Sequence, residues 1–126
     1  MTDLKKQIRP KISSILTLEN FSDEEKFQNE VLRPIIKLQH DLILSCFEHY
    51  LKQNKVKIYE LNNTQKIDLT RKLFKTDTRL KVELRGLITA LFTLDEYKEY
   101  LRLASQVNKR INNMIHQRVD SCYVKQ

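Results

Sequence analysis

A chain of 126 residues with one glycine, Gly86, and two prolines, Pro10 and Pro34, holds almost none of the residues that build tight turns, hairpins and bulges. A β architecture would need several such turns, so the scarcity points to an all-α fold. It also excludes sites built on glycine-rich loops, because backbone N–H groups reach a phosphate only where several glycines clear the way. P-loop and Rossmann nucleotide folds are thereby ruled out. The length suits one hydrophobic core, and 40% apolar with 31% charged residues suits a helical globule with charged outer faces. The expectation is a single-domain bundle, residues 1–126, of about five helices.

Hydrophobic spacing places those helices. Leu4, Ile8, Ile12, Ile15 and Leu16 recur at three and four residues, which makes a first helix ending near Leu18. Either it runs through Pro10 or it begins with Pro10 in its first turn, where a missing N–H costs nothing. Ser22-Asp23-Glu24-Glu25 is a capping box with carboxylates at the positive end of the helix dipole, and it opens a second helix. Along that helix Phe27, Val31, Ile35, Leu38, Leu42 and Cys46 form one stripe, widened by Leu32, Ile36, Ile43, Phe47 and Tyr50. A helix this apolar belongs at the centre, and Pro34 predicts a kink or break between Glu30 and Arg33.

Periodicity fades from Lys52 to Asn63, the main connection, where Asn62-Asn63-Thr64 reads as a turn closing on an N-cap. A third helix over about Gln65–Lys75 is expected to bury Ile67, Leu69, Leu73 and Phe74. Asp77 can cap a fourth, with a stripe of Leu80, Leu84, Leu87, Ile88 and Leu91. Thr93-Leu94-Asp95-Glu96 is a second capping box. It opens a long fifth helix to about Val119 through Tyr97, Tyr100, Leu101, Ala104, Val107, Ile111, Met114 and Ile115.

Neither a signal-peptide run nor the stretch of about 18 uncharged residues that a membrane span requires is present, so no membrane contact and a cytoplasmic location are expected. Cys46 and Cys122 lack CxxC spacing and read as two isolated thiols rather than a disulfide. Cys46 has His49 three residues on, but its neighbours are apolar, and a reactive thiolate needs an open, electropositive setting. His49 itself falls in the apolar stripe with Val31 and Leu42 and reads as a core histidine. Gln39 and Asn108 also fall in apolar arcs, where an unpaired polar group costs about 1–3 kcal/mol, so both are expected to find partners, Asn108 across a helix interface.

For metal chemistry, His40, Asp41 and Glu48 lie along one edge of the second helix, and His116 of the fifth could join them in an N/O site. No cofactor is expected. Charge is uneven: Lys52 to Arg85 holds 10 Lys or Arg against 4 Asp or Glu, and so carries +6 of the net +7. Arg71, Lys72 and Lys75 share a face of the third helix, and Lys81 and Arg85 are one turn apart on the fourth. A shared basic surface there would bind phosphates through sequence-independent contacts.

At Arg33-Pro34-Ile35-Ile36-Lys37-Leu38-Gln39-His40-Asp41-Leu42, and again at Phe92-Thr93-Leu94-Asp95-Glu96-Tyr97, the chain resembles small helical bacterial proteins from Bacteroidetes-type genomes, a group without established activity that often carries the label glyoxalase. The resemblance runs over most of the chain and implies the same all-α fold. If it implies glyoxalase chemistry too, His40, Asp41, Glu48 and His116 are the residues that would hold the metal. The strand-borne His and Glu ligands of glyoxalase I and the THxHxDH motif of the glyoxalase II type are both lacking.

These readings lean away from an enzyme. They favour a helical interaction module with a protein partner or a second copy, and they predict an exposed apolar patch of several hundred Å² on the second or fifth helix. The alternatives are a basic nucleic-acid or anionic-surface binder through Lys52–Arg85 and a glyoxalase-like metal enzyme.

Overall fold

A computed structural model describes residues 3–12 and 20–125 and is all-helical. Its α-helical segments are α1 (Leu4–Gln7), α2 (Asp23–Phe27), α3 (Arg33–Leu38), α4 (His40–Gln53), α5 (Asn63–Thr76), α6 (Thr78–Thr89), α7 (Leu94–Arg102) and α8 (Ala104–Tyr123). A π-helical turn, Gln28–Leu32, joins α2 to α3, and a 3-10 turn, Ile58–Glu60, lies between α4 and α5. The expected five helices are thus divided further.

The helix starts follow from side-chain chemistry. Ser22 and Glu25, Asn62 and Gln65, and Thr93 and Glu96 form reciprocal capping boxes, and Asp77 accepts from the Leu80 N–H. The interruptions are less obvious. Ahead of Pro34 the Arg33 N–H reaches back five residues to the Gln28 carbonyl, and Pro34, which has no N–H to donate, stands at the start of α3. The extra residue in the π turn rotates the upstream part of the helix and brings Phe27 and Val31 onto the side of Ile35, Ile36, Ile43 and Phe47, all buried. Leu38 and Leu42, which continue the Phe27 and Val31 stripe at regular spacing, fall outside instead, 37% and 54% exposed. A second interruption at Gln39 separates α3 from α4.

Similarly the expected fifth helix stops at Leu103, which leaves the helical region at φ −110°, ψ 16°, and restarts as α8. Tyr100, Leu103, Val107, Ile111, Ile115 and Val119 are buried, whereas Tyr97 and Leu101 are exposed. Most of the later half of the expected first helix lies outside the described residues. α1 ends at Gln7 ahead of Pro10, with Leu4 and Ile8 exposed, and Ile15, Leu16 and Leu18 lie outside the described residues. The segment is instead pinned by its cations: Lys5 Nζ donates to the Phe92 carbonyl (3.1 Å), and Arg9 to the Leu91 carbonyl (2.8 Å).

α8 packs against α5 and α6, and α6 against α4 and α5; α8 also meets α2, the π turn and α7. The centre is made by Leu32, Ile35, Ile36, Ile43, Phe47, Leu80, Leu84, Ile88, Ile111 and Ile115, each almost wholly excluded from solvent. α4 and α6 run antiparallel and are tied at both ends. Gln39 Nε2 donates to the Leu87 carbonyl (2.9 Å), and the Tyr50 hydroxyl donates to Asp77. Burial and that carboxylate partner push the Tyr50 hydroxyl up to about 12. Gln39 and Asn108 therefore both find the partners their positions demand, Asn108 by accepting from the Tyr100 hydroxyl of α7 (2.6 Å).

Two residues reverse the usual roles. The positive φ among the described non-glycine residues belongs to Lys55 (φ 56°), which closes α4 in a Schellman arrangement where glycine is the common choice. Gly86 sits inside α6, and a Cβ there would meet nothing within 4 Å.

Candidate functional site

The four residues singled out for metal binding do not converge. His40 Nδ1 lies 2.9 Å from Arg118 Nη1 on the α8 side of α4, and Asp41 points to solvent. Glu48, two turns along, is close enough to Tyr123 to raise its hydroxyl pKa, after the larger effect of burial. His116 lies on the other flank of α8, its ring stacked on Phe74 with centroids 4.7 Å apart. Its Nε2 is 3.2 Å from Asp120 Oδ2 yet off the line of a hydrogen bond. Among the described residues no three His, Cys, Asp or Glu side chains gather where a metal ion could sit.

The Cys46–His49 pair dissolves for the same geometric reason. His49 is exposed, which corrects the expectation of a core histidine, because the buried arc of α4 is centred on Ile43, Phe47 and Leu51. Cys46 is half-buried, and burial followed by the Glu83 carboxylate pushes its thiol up, away from a reactive thiolate.

Along α5 the burial expectation is corrected as well: Lys66, Thr70 and Phe74 are buried, and Ile67, Leu69 and Leu73 are only partly so. The inner face of α5 is polar because it meets the C-terminal half of α8. Lys66 lays its stem along the interface and donates from Nζ to the Tyr123 carbonyl (3.0 Å), and Thr70 Oγ1 donates to Asp120 Oδ1 (2.6 Å). Asn112 Nδ2 donates to the Phe74 carbonyl (3.2 Å).

The basic residues separate into two groups. Arg71, Lys72 and Lys75 stand exposed on α5, with Asp68 3.9 Å from Arg71. Lys81 and Arg85 line instead a groove of about 190 Å³ between α6 and α8 together with Lys109, Asn108 and Asn112 over a floor of Leu84 and Ile111, and Lys81 Nζ also donates to the Lys75 carbonyl of α5 (3.2 Å). Lys109 lies outside the basic third of the sequence, and only the packing of α8 on α6 brings it in.

A cleft of about 840 Å³ lies where the N-terminal segment crosses α2 and α7, lined by both signs of charge, including Lys26, Glu30, Asp95 and Glu99. Beside it Arg9 and Glu96 form a two-pronged ion pair (2.8 and 2.7 Å) with side chains only 7% and 11% exposed. Burial alone would raise the Glu96 carboxyl. The Arg9 hydrogen bonds and the Thr93 N–H outweigh it and hold the group below the usual carboxylate range.

The exposed large apolar side chains gather most clearly on α7. Leu94, Tyr97 and Leu101, at 69%, 43% and 56% exposure, share one face of this helix. Arg9 holds another face through Glu96, and Tyr100 faces the core.

No family model, curated protein or solved structure matches this chain. No helix among the described residues is long and apolar enough to cross a membrane.

Proposed function

We propose that this chain is a non-enzymatic helical interaction module that associates with a second copy of itself through α7. The observation that supports the reading is the exposed stripe of Leu94, Tyr97 and Leu101. Apolar residues scattered singly on a surface are ordinary, but three on one face of a nine-residue helix are not. The stripe is also self-complementary. A two-fold axis through the middle of α7 sets Leu94 of one copy against Leu101 of the other and brings the Tyr97 ring over Lys98, a cation–π pairing made twice. A single helix pair buries little area, so the dimer is expected to be weak and concentration-dependent.

Sedimentation over a range of concentrations tests this. A monomer–dimer equilibrium is expected, and Leu101→Glu should remove it while circular dichroism shows the helices intact. A wild-type chain that stays monomeric at every soluble concentration overturns the reading.

A second reading, binding of nucleic acid, draws support from the α6–α8 groove, where Lys81, Arg85 and Lys109 collect without a lining carboxylate. Its test is a salt titration: affinity for duplex or single-stranded nucleic acid should fall steeply as salt rises, with a shallower slope in Arg85→Gln. Absence of binding at low salt ends it.

A further inference from the structure

We infer that the seam between α3, the start of α4 and the C-terminal half of α8 is a binding site for a phosphomonoester, held by Arg33, Arg118 and His40. The site is separate from the α7 face and does not depend on it.

The argument begins with what each arginine touches. Arg9, Arg71, Arg79 and Arg102 all have a carboxylate within ion-pair distance. The two arginines that line this seam, Arg33 and Arg118, are met by neutral acceptors, as is Arg110 about two turns back along α8. Arg110 donates to Gln28, Arg33 Nε donates to Asn29 Oδ1 (3.1 Å), and Arg118 Nη1 contacts His40 Nδ1 (2.9 Å). Among the described residues none of the three has a carboxylate within 4.0 Å. Positive charge has been gathered at one place and left uncompensated, in a chain that pairs half of its arginines with acids elsewhere.

The Arg118 contact fixes the chemistry further. A guanidinium has only donors, so it makes this contact with His40 Nδ1 as the acceptor, the tautomer whose ring proton is on Nε2. A metal ion would compete with Arg118 for that nitrogen and meet its charge, so the contact favours an anion at the position where a cation was expected. Arg118 keeps its other N–H groups, Arg33 keeps both terminal amino groups because only its Nε is engaged, and the ring offers Nε2–H.

These donors line a cavity of about 330 Å³ together with Gln117, Ile36 and Met114. The Ser121 hydroxyl at its edge is spent on the Arg118 carbonyl (2.8 Å). No carboxylate lines the cavity; Glu30 faces the cleft near α2, and Asp41 is exposed. Two planar forks and an imidazole N–H suit the terminal oxygens of a phosphate dianion, which guanidinium groups grip in pairs. The volume exceeds a bare phosphate, and the Met114 side chain on its wall would cover a small organic substituent. A monoester thus fits better than the free ion, and a phosphodiester in a polymer, with no terminal dianion, fits worse.

Titration calorimetry on the full chain with phenyl phosphate, inorganic phosphate and an oligonucleotide as probes tests the assignment. Saturable binding of phenyl phosphate, tighter than inorganic phosphate, is expected. Arg33→Gln and Arg118→Gln should each weaken it about tenfold or more, the scale of a lost charge-assisted hydrogen bond, whereas Arg85→Gln in the other groove should leave it unchanged. Arg118→Lys keeps the charge but loses the fork, and partial retention in that variant separates recognition from general attraction. The sources of the group are told apart by comparing phenyl phosphate with a short phosphotyrosine peptide: equal affinity means the site reads the phosphate and ring alone, and tighter peptide binding means the flanking chain contributes. Absence of saturable binding to either monoester overturns the inference. So does binding that survives both arginine variants, or that Arg85→Gln abolishes, or that only the oligonucleotide shows.

Discussion

α8 has two polar flanks, and they are built on opposite plans. Against α5, donors and acceptors cancel: Thr70 meets the Asp120 carboxylate, Lys66 takes the last carbonyl of the helix at Tyr123, and Asn112 takes the Phe74 carbonyl. Against the π turn, α3 and α4, the partners of Arg110, Arg33 and Arg118 are two amides and an imidazole, and the seam keeps a surplus of donors. The first flank is closed chemistry that holds two helices together. The second holds them as well but leaves charge unanswered, which makes it the flank with something to offer a ligand.

Substitutions on the closed flank should cost the most stability. Phe74 lies under His116 and stacks on Phe47 (6.0 Å, 20°), so Phe74→Ala should cost about 3–5 kcal/mol and be plain in a urea unfolding curve. The Arg9–Glu96 pair is closed in the same sense, and Glu96→Gln, which leaves a guanidinium buried without its carboxylate, should cost about 3 kcal/mol. Its pH dependence has a definite sign. The folded-state pKa of Glu96 lies below its unfolded value, so the pair's contribution is complete above the ordinary carboxylate range and is lost as pH falls through the lowered folded value. Stability curves of Glu96→Gln should accordingly lack part of the acid limb seen in the wild type.

Thr70→Val keeps the shape but strips Asp120 of its hydroxyl donor, for an expected loss of about 1–3 kcal/mol by the same unfolding measurement. On the open flank Arg118→Gln should change stability by no more than about 0.5 kcal/mol, because it removes a charge that nothing in the fold neutralises. A loss as large as that of Thr70→Val would show that the two flanks are not different in kind.

Much of the secondary structure was legible from local chemistry. The capping boxes at Ser22 and Thr93 and the cap at Asp77 depend on contacts three residues apart, and they stand where the sequence places them. The breaks at Gln39 and Leu103 carry neither glycine nor proline, and no local signal announces them. Together with the π turn they decide which face is inside, and so Leu42, His49, Tyr97 and Leu101 lie outside although their spacing suggested the core.

The candidate sites were less legible still. His40 and Arg118 are 78 positions apart, and Arg9 and Glu96 are 87 apart. Composition could show that the middle of the chain is basic, but not that Lys109 would join Lys81 and Arg85, nor that His40 would meet an arginine instead of a carboxylate.

That this protein is helical, and where most helices begin, can be read along the chain, because near-absence of turn residues, apolar periodicity and capping are effects of neighbours within one or two turns. Which polar side chains are answered and which are not depends on how the helices pack. Whether a charge is compensated depends on what is carried past it by a helix folded back from far along the chain, and no pattern within a single helix records that.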